Sequence, residues 1–250
     1  MNPEFYYCQL WDDFEQNKRE VWSDKKWQEV ETAYLKKRRG IWLNLVFKRL
    51  LDVAFASLGI VILCPVLALI AVAVRLSSPG PILFRQQRLG KLTKPFEIYK
   101  FRTMIDGAID RGTGINTFKG DPRVTPIGRF LREYHLDELP QLFNVLRGEM
   151  SLVGPRPLLV QSLPTYTNEQ KQRFLVFPGI TAWEAVKGGL SNTLEERISL
   201  DIWYVNHWNF WLDLFIIFQT IPVVITKEGA YAKDDLAAKI SSEKRDFVDN

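Results

Sequence analysis

From Val53 to Val74 the chain reads VAFASLGIVILCPVLALIAVAV, twenty-two residues without a charge. As a straight helix this run would be roughly 33 Å long, enough to cross the hydrocarbon core of a bilayer. A helix buried in a soluble core seldom stays apolar all round for that length, so a membrane segment is expected. The flanks lack the usual asymmetry. Lys36, Lys37, Arg38, Arg39, Lys48 and Arg49 precede the run, and Arg75, Arg85 and Arg88 follow it. Both ends thus carry the basic mark of the cytoplasmic face. Pro65, near the midpoint, removes one backbone donor and leaves the Val61 carbonyl without its helical partner. Proline alone is equally compatible with a kink in a spanning helix. With basic residues on both flanks, a helix that enters and leaves by one face is expected, bent at Cys64 and Pro65.

A chain of 250 residues that is 46% hydrophobic can bury one full core beside a membrane segment, but not two large domains. The formal net charge is only +4, yet residues 76–160 hold thirteen Lys and Arg against eight Asp and Glu. That local excess points to an anionic partner. Cys8 and Cys64 are the only cysteines, and Cys64 lies inside the apolar run, so a reducing compartment is expected. About forty mainly polar residues precede the first apolar stretch, so a cleaved signal peptide is not expected and the N-terminus is assigned to the cytoplasm.

Residues 1–40 contain eight acidic and eight basic side chains with Trp11, Trp22 and Trp27 among them, and are expected to form a helical extension. Its closing KKRR patch suits anionic headgroups and plain solvation equally. The membrane segment is assigned to 41–76. The turn cluster SSPGP then opens a compact domain over 77–226, followed by a polar tail at 227–250, helical or disordered. Alternation at Phe96, Ile98 and Phe101 predicts one or two strands, and residues 106–125 read as loop. Ile127, Phe130, Leu131 and Tyr134 predict one helix, and Leu142, Phe143 and Leu146 another. Residues 200–225, LDIWYVNHWNFWLDLFIIFQTIPVVI, read as an interfacial helix or as ordinary core.

Between the two periodic runs lies REYHLDELPQ, with Asp137 and Glu138 adjacent and Pro140 just beyond. Pro140 fits the first turn of a helix, so both carboxylates are expected near a helix start, where the macrodipole favours negative charge. That alone would account for them as helix-start acids. Their surroundings point to chemistry as well. Neighbouring helical side chains diverge by about 100°, so one carboxylate can face a reacting phosphorus while the other holds a cation. Arg129 and Arg132 precede the pair and Arg147 and Arg156 follow it; guanidinium groups grip a diphosphate by bidentate hydrogen bonds. The chain has no G-x-x-x-x-G-K-[ST] loop and no G-x-G-x-x-G turn, so a nucleotide would not rest in a glycine cradle. His135 and His207 are the only histidines and no C-x-x-C occurs. Zinc is therefore not expected, whereas a carboxylate with phosphate oxygens suits Mg2+.

Four stretches follow one another over residues 45–225: KRLLDVAFASLGIVILCPVLALIAVAVRLSSPGPILFRQQRLG, FEIYKFRTM, DPRVTPIGRFLREYHLDELPQLFNVLRGEMSLVGPRP and FPGIT. Together they closely resemble the bacterial sugar transferases, or monotopic phosphoglycosyl transferases. The resemblance implies transfer of a sugar 1-phosphate from a nucleotide diphosphate sugar, usually a UDP-sugar, to polyprenyl (undecaprenyl) phosphate. UMP is released, and a membrane-linked glycan is begun. It implies a ping-pong route: Asp137 attacks the phosphorus bearing the sugar, and the polyprenyl phosphate then attacks the aspartyl intermediate. Glu138 matches the family's magnesium-binding glutamate, the Mg2+ neutralising charge on the diphosphate. Arg132 and Arg156 match phosphate-binding arginines, Lys100 an active-site lysine, and Asp201 and Asp213 acidic positions that support the site. Arg129 joins the substrate-binding set for its place beside the pair.

The apolar run matches the family's re-entrant helix, with two departures from the pattern. Cys64 stands where a small hydroxyl residue often precedes the bend proline, and its thiol is a weaker partner for the opened backbone. Residues 179–189 read GITAWEAVKGG where G-L-T-G-x-A-Q-V-N-G-R is expected, so an arginine and a glutamine are missing from a region of sugar or base recognition. The expected fold class is α/β with predominant helices: a re-entrant membrane helix, a compact catalytic domain and interfacial amphipathic helices. Expected partners are the two substrates and membrane lipids, without nucleic acid and with homo-oligomerisation left open. The expected place is the bacterial inner membrane, with the catalytic domain on its cytoplasmic face. Two rival readings are a magnesium-dependent nucleotide-sugar hydrolase and a non-enzymatic scaffold that binds acidic lipids.

Overall fold

A computed structural model of the chain describes residues 23–37, 41–108, 117 and 120–226. The fold is mostly helical, with two small sheets and one long apolar helix. Most of the expected N-terminal extension and the whole of the polar tail lie outside the described residues; within the extension, helix α1 spans Asp24–Lys37. Helix α2 runs from Ile41 to Ser77, continuous through Cys64 and Pro65. Leu58, Val61, Ile62, Leu69 and Leu76 along it are exposed, so water is not the solvent this surface suits.

The inward stripe of α2 explains how it is held. Ala56 packs with Phe96, Ile98, Leu142, Val145 and Met150, and further along Ile70 and Val74 pack with Phe101 and Leu131. Polar ties reinforce both ends. Near its start, Lys48 Nζ donates to the Val153 carbonyl (3.1 Å) and to Asp213 Oδ2 (2.5 Å). Arg49 donates to the Val145 and Met150 carbonyls, and Asp52 accepts from the Leu152 amide at 3.0 Å. At its end, the Arg102 guanidinium donates to the carbonyls of Val74, Ser78 and Pro79, satisfying groups that a helix C-terminus leaves open.

Strands β1 (Leu83–Leu89) and β2 (Pro95–Phe101) form an antiparallel hairpin in register Leu83↔Phe101 to Leu89↔Pro95. Phe96 and Ile98 share one face and pack with Ala56 and Met150, whereas Phe101, at odd spacing, lies on the other face with Val74 and Leu131. Asn144, wholly buried, caps β2 from outside: its Oδ1 accepts from the Tyr99 amide and its Nδ2 donates to the Glu97 carbonyl. Helix α3 (Pro126–Glu133) starts where Thr125 accepts from the Gly128 amide and Pro126 takes the first turn. A 3-10 turn (Leu136–Glu138) follows, then α4 (Gln141–Arg147), which stops at left-handed Gly148.

Strands β3 (Ser151–Val153) and β4 (Gly179–Thr181) pair in parallel. A short helix α5 (Trp183–Val186) leads to α6 (Leu194–His207), opened by a Thr193–Glu196 capping box. Helix α7 spans Phe210–Thr226. Residues 200–225, read from sequence as an interfacial helix or as ordinary core, divide between α6 and α7. The physical cause is Asn209, whose Oδ1 accepts from the Leu212 amide at 3.0 Å and so caps a new helix. Tyr204, Val205, Trp208 and Ile216 close a core with Trp27 of α1, Leu89 and Phe174, while Trp211, Phe215, Phe218, Ile221 and Ile225 are exposed.

Candidate active site

The acidic pair belongs to neither flanking helix. After α3, His135 adopts φ 54, ψ 19, and the chain turns into the 3-10 segment carrying Asp137 and Glu138. A left-handed non-glycine residue costs about 1–2 kcal/mol, which the fold absorbs to aim this turn inward. Pro140 precedes α4 as its cap rather than entering its first turn, so the pair is set before the helix and is not simply bathed at its end. Asp137 is 8% exposed and Glu138 6%. Acids that serve only a helix start remain in water; these have been desolvated.

Their environments differ. Glu138 Oε1 accepts from Lys100 Nζ at 2.6 Å and from Arg156 Nη2 at 2.5 Å. Burial alone would raise its pKa, but Arg156 and Lys100 overcome that and hold the carboxyl well below the usual range. Arg156 is in turn kept firmly protonated by Glu138. No described residue donates a hydrogen bond to Asp137. Burial pushes its pKa up to about 6, against the pull of Lys100.

A cavity of about 1160 Å³ opens above the pair. Lys100, Arg132 and Arg156 line it with Asp137 and Glu138, and Arg85 and Arg88 add further positive charge from β1. Arg132 is oriented by a bond from its Nε to Thr103 Oγ1 at 2.7 Å. That contact requires α3 to approach closely, and a Cβ on Gly128 would stand 2.0 Å from the Thr103 carbonyl oxygen. Arg88 is lowered to about 10, by burial and then by the neighbouring charge of Arg156. The segment bearing Arg156 is fixed at its backbone: Arg88 donates to the Pro157 carbonyl, and Arg173 to the Arg156 carbonyl and to Asp201. Gly154 and Gly179 let this segment lie against β4, since a Cβ on Gly179 would sit 2.1 Å from the Gly154 nitrogen.

Of the residues expected from sequence, the fold therefore brings Asp137, Glu138, Lys100, Arg132 and Arg156 to one cavity. Asp201 stands behind it, buried and paired with Arg173, its pKa raised to about 6 by burial. Asp213 lies at the foot of α2, taking bonds from Lys48, the Tyr204 hydroxyl (2.7 Å) and Trp208 Nε1 (3.0 Å). Arg129 is exposed and outside the cavity lining, and Arg147 turns to the Tyr99 hydroxyl. Cys64 is a free, exposed thiol on α2. Among the described residues, no three His, Cys, Asp or Glu side chains cluster as metal ligands. Sequence reasoning missed Arg173, Glu184 and Arg197. Glu184 is a lone charge in TAWEAV, and Arg173 in KQRF and Arg197 in LEERIS sit in ordinary charged stretches, so none carries a local signal that singles it out.

This arrangement, an open carboxylate beside a tethered one in a basic cavity next to an apolar helix, is that of a phosphate-handling enzyme at a membrane. Residues 43–227 match the family model described as "Bacterial sugar transferase", and the chain belongs to that family. It is 43% identical over 198 residues to the "uncharacterized sugar transferase EpsL" of Bacillus subtilis, covering 78% of this chain and 95% of that protein. The "UDP-glucose:undecaprenyl-phosphate glucose-1-phosphate transferase" of Caulobacter vibrioides is 44% identical over 193 residues, 74% of this chain and 72% of that one. The Klebsiella pneumoniae protein of the same name is 44% identical over 197 residues, 76% of this chain but only 42% of its own length.

Proposed function

We propose that the protein transfers a sugar 1-phosphate from a UDP-sugar to undecaprenyl phosphate and releases UMP. The observation that carries this reading is the contrast within the pair: Asp137 is buried, open to the cavity and takes no hydrogen bond from any described residue, while Glu138 beside it is tied to two cations. An Asp137 carboxylate oxygen attacks the phosphorus that bears the sugar. The bond from that phosphorus to the bridging oxygen breaks, and UMP leaves with that oxygen. A phosphate oxygen of the lipid then attacks the same phosphorus, the bond to Asp137 breaks, and the free carboxylate returns. Lys100, Arg132 and Arg156 hold the diphosphate and offset its charge, so two anions can meet. The names of the relatives support a UDP-linked donor and an undecaprenyl acceptor, and differ in the sugar.

The donor set fits Mg2+. One or two carboxylates with phosphate oxygens and water are what that ion accepts, and an all-protein cage is not required. Glu138, with Asp137 adjacent, would hold it. Bound there, it would neutralise charge on the diphosphate and the departing phosphate. Because Glu138 Oε1 already receives Lys100 and Arg156, its other oxygen is the one open to a metal.

Helix α2 enters and leaves the membrane by the same face in this proposal, seating the cavity at the cytoplasmic surface of the inner membrane. What supports this is that residues on both sides of Pro65 pack on one compact domain: Lys48, Arg49 and Asp52 bind Val153, Val145 and Leu152, while Val74 packs on Phe101 and Leu131. A spanning helix would hold those two ends on opposite sides of the bilayer. The exposed Trp211, Phe215 and Phe218 of α7 suit the headgroup layer. Two measurements test the proposal. Intact-mass spectra of protein quenched with donor alone should carry the sugar-phosphate adduct, and its absence with sequential kinetics would refute the covalent route. Gln28→Cys and Lys94→Cys, in a background lacking Cys8 and Cys64, should label from the cytoplasmic side only; labelling from opposite sides would refute re-entry.

A further inference from the structure

Beyond the acidic pair, the cavity wall holds a second buried carboxylate that the transfer chemistry leaves unused. Glu184 of α5 is 2% exposed and lines the cavity. It receives a two-pronged grip from α6: Arg197 Nε to Oε2 at 3.0 Å and Arg197 Nη2 to Oε1 at 3.2 Å. Arg156, which binds Glu138, lines the same cavity and is also influenced by the charge of Glu184, so this wall belongs to the cavity that holds the acidic pair. We propose that the Glu184–Arg197 pair is a specificity-determining subsite that reads the hydroxyl groups of the donor's neutral sugar.

The proposal rests on the transferase reading above and names what its donor pocket recognises. Three physical points lead to it. An ionised carboxylate is an acceptor with about four lone-pair sites; Arg197 fills one on each oxygen, which leaves capacity for donors such as sugar O–H groups. Glu184 and Arg197 also cancel each other's charge, so this wall offers a phosphate less positive charge than the side lined by Arg85, Arg88 and Lys100. Finally, the sugar is bonded directly to the phosphorus that Asp137 attacks, so it must lie beside the pair, and the wall next to Arg156 is where an uncharged, hydroxyl-rich group meets acceptors. The small residues Ala185 and Gly189 line the same cavity.

A site built to bond a hydroxyl discriminates strongly against the analogue lacking it, because its own polar groups are then left unpaired. The experiment uses the full chain in lipid nanodiscs with undecaprenyl phosphate, reading UMP release from the best UDP-sugar of a panel and from its single-deoxy analogues. Wild type should lose at least about tenfold in kcat/KM for one deoxy position. Glu184→Gln should shrink that penalty to within about twofold and raise KM for the parent donor, while inhibition by UMP, which has no sugar, changes less than about twofold. Arg197→Lys, which keeps the cation but not the fork, should move the same way and stands in if Glu184→Gln fails to fold, as judged by its melting curve.

An undiminished deoxy penalty in both variants, or weakened UMP inhibition in step with the donor, would overturn the subsite. So would a wild type indifferent to every deoxy position. A wild type that releases no UMP from any UDP-sugar would instead overturn the transferase reading itself, which separates the two failures.

Discussion

Asp137 and Asp213 are equally hidden, 8% and 6% exposed, yet the fold treats them in opposite ways. Every side of Asp213 is engaged: Lys48 and Trp208 donate to Oδ2 and Tyr204 to Oδ1. Asp137 takes no hydrogen bond from any described residue and faces a cavity. A buried acid held by three donors is a strut, and here it fastens the foot of the long apolar helix to the domain. A buried acid left open is costly to keep ionised. That cost is tolerable where a ligand or a reacting phosphorus completes the site. Between these two aspartates, satisfaction rather than burial separates architecture from chemistry.

The largest effect should come from removing the open acid's nucleophilic oxygen. Asp137→Asn is expected to lower UMP release by about 10³-fold or more while the melting temperature holds or rises, since an uncharged amide is easier to bury. A mutant that melts early and keeps its activity would reverse the assignment of the two acids. Glu138→Gln should come next. It leaves Lys100 and Arg156 facing each other without their shared counter-charge, and removes the carboxylate proposed for Mg2+. A loss of about 10²-fold in kcat is expected, together with a weaker dependence of rate on added Mg2+. An unchanged Mg2+ titration would remove Glu138 from the metal's shell.

How much of this contrast the sequence discloses depends on its range. Local signals read well: Phe96, Ile98 and Phe101 mark β2, the apolar run gives α2, and Ile127, Phe130 and Leu131 give α3. The pair itself was legible because Asp137 and Glu138 are neighbours in a distinctive motif. Its tethering was not, for Lys100 and Arg156 reach Glu138 across 38 and 18 residues. The same holds for Asp213 and Lys48, 165 residues apart, so Lys48 read only as a topological charge before the membrane run. The split between α6 and α7 depended on one capping asparagine inside an aromatic stretch, where hydrophobic pattern outweighs a single polar side chain. Pairings over such separations depend on tertiary packing, which no local period encodes.

The strut should fail differently from the site. Asp213→Asn keeps its shape but leaves the Lys48 ammonium without its counter-charge, a defect worth about 3–5 kcal/mol when one partner of a buried pair is removed. Thermal unfolding should shift down by roughly 6–20 °C, and activity should fall in step with the fraction unfolded. A normal melt with a collapse of kcat would make Asp213 part of the chemistry and dissolve the contrast with Asp137.

The smallest effect sharpens the comparison from the side of the cations. Arg129 and Arg156 flank the acidic pair in sequence and carry the same group, but only Arg156 lines the cavity and binds Glu138, whereas Arg129 is exposed on α3. An exposed guanidinium acts on the site only through screened, long-range attraction of the anionic donor. Arg129→Ala should therefore raise KM for the UDP-sugar by less than about threefold, leave kcat alone, and lose even that effect at high salt. If it instead cost kcat at every salt concentration, Arg129 would have to enter the cavity when substrate binds, and the distinction between arginines that grip and arginines that attract would have to be redrawn around a moving α3.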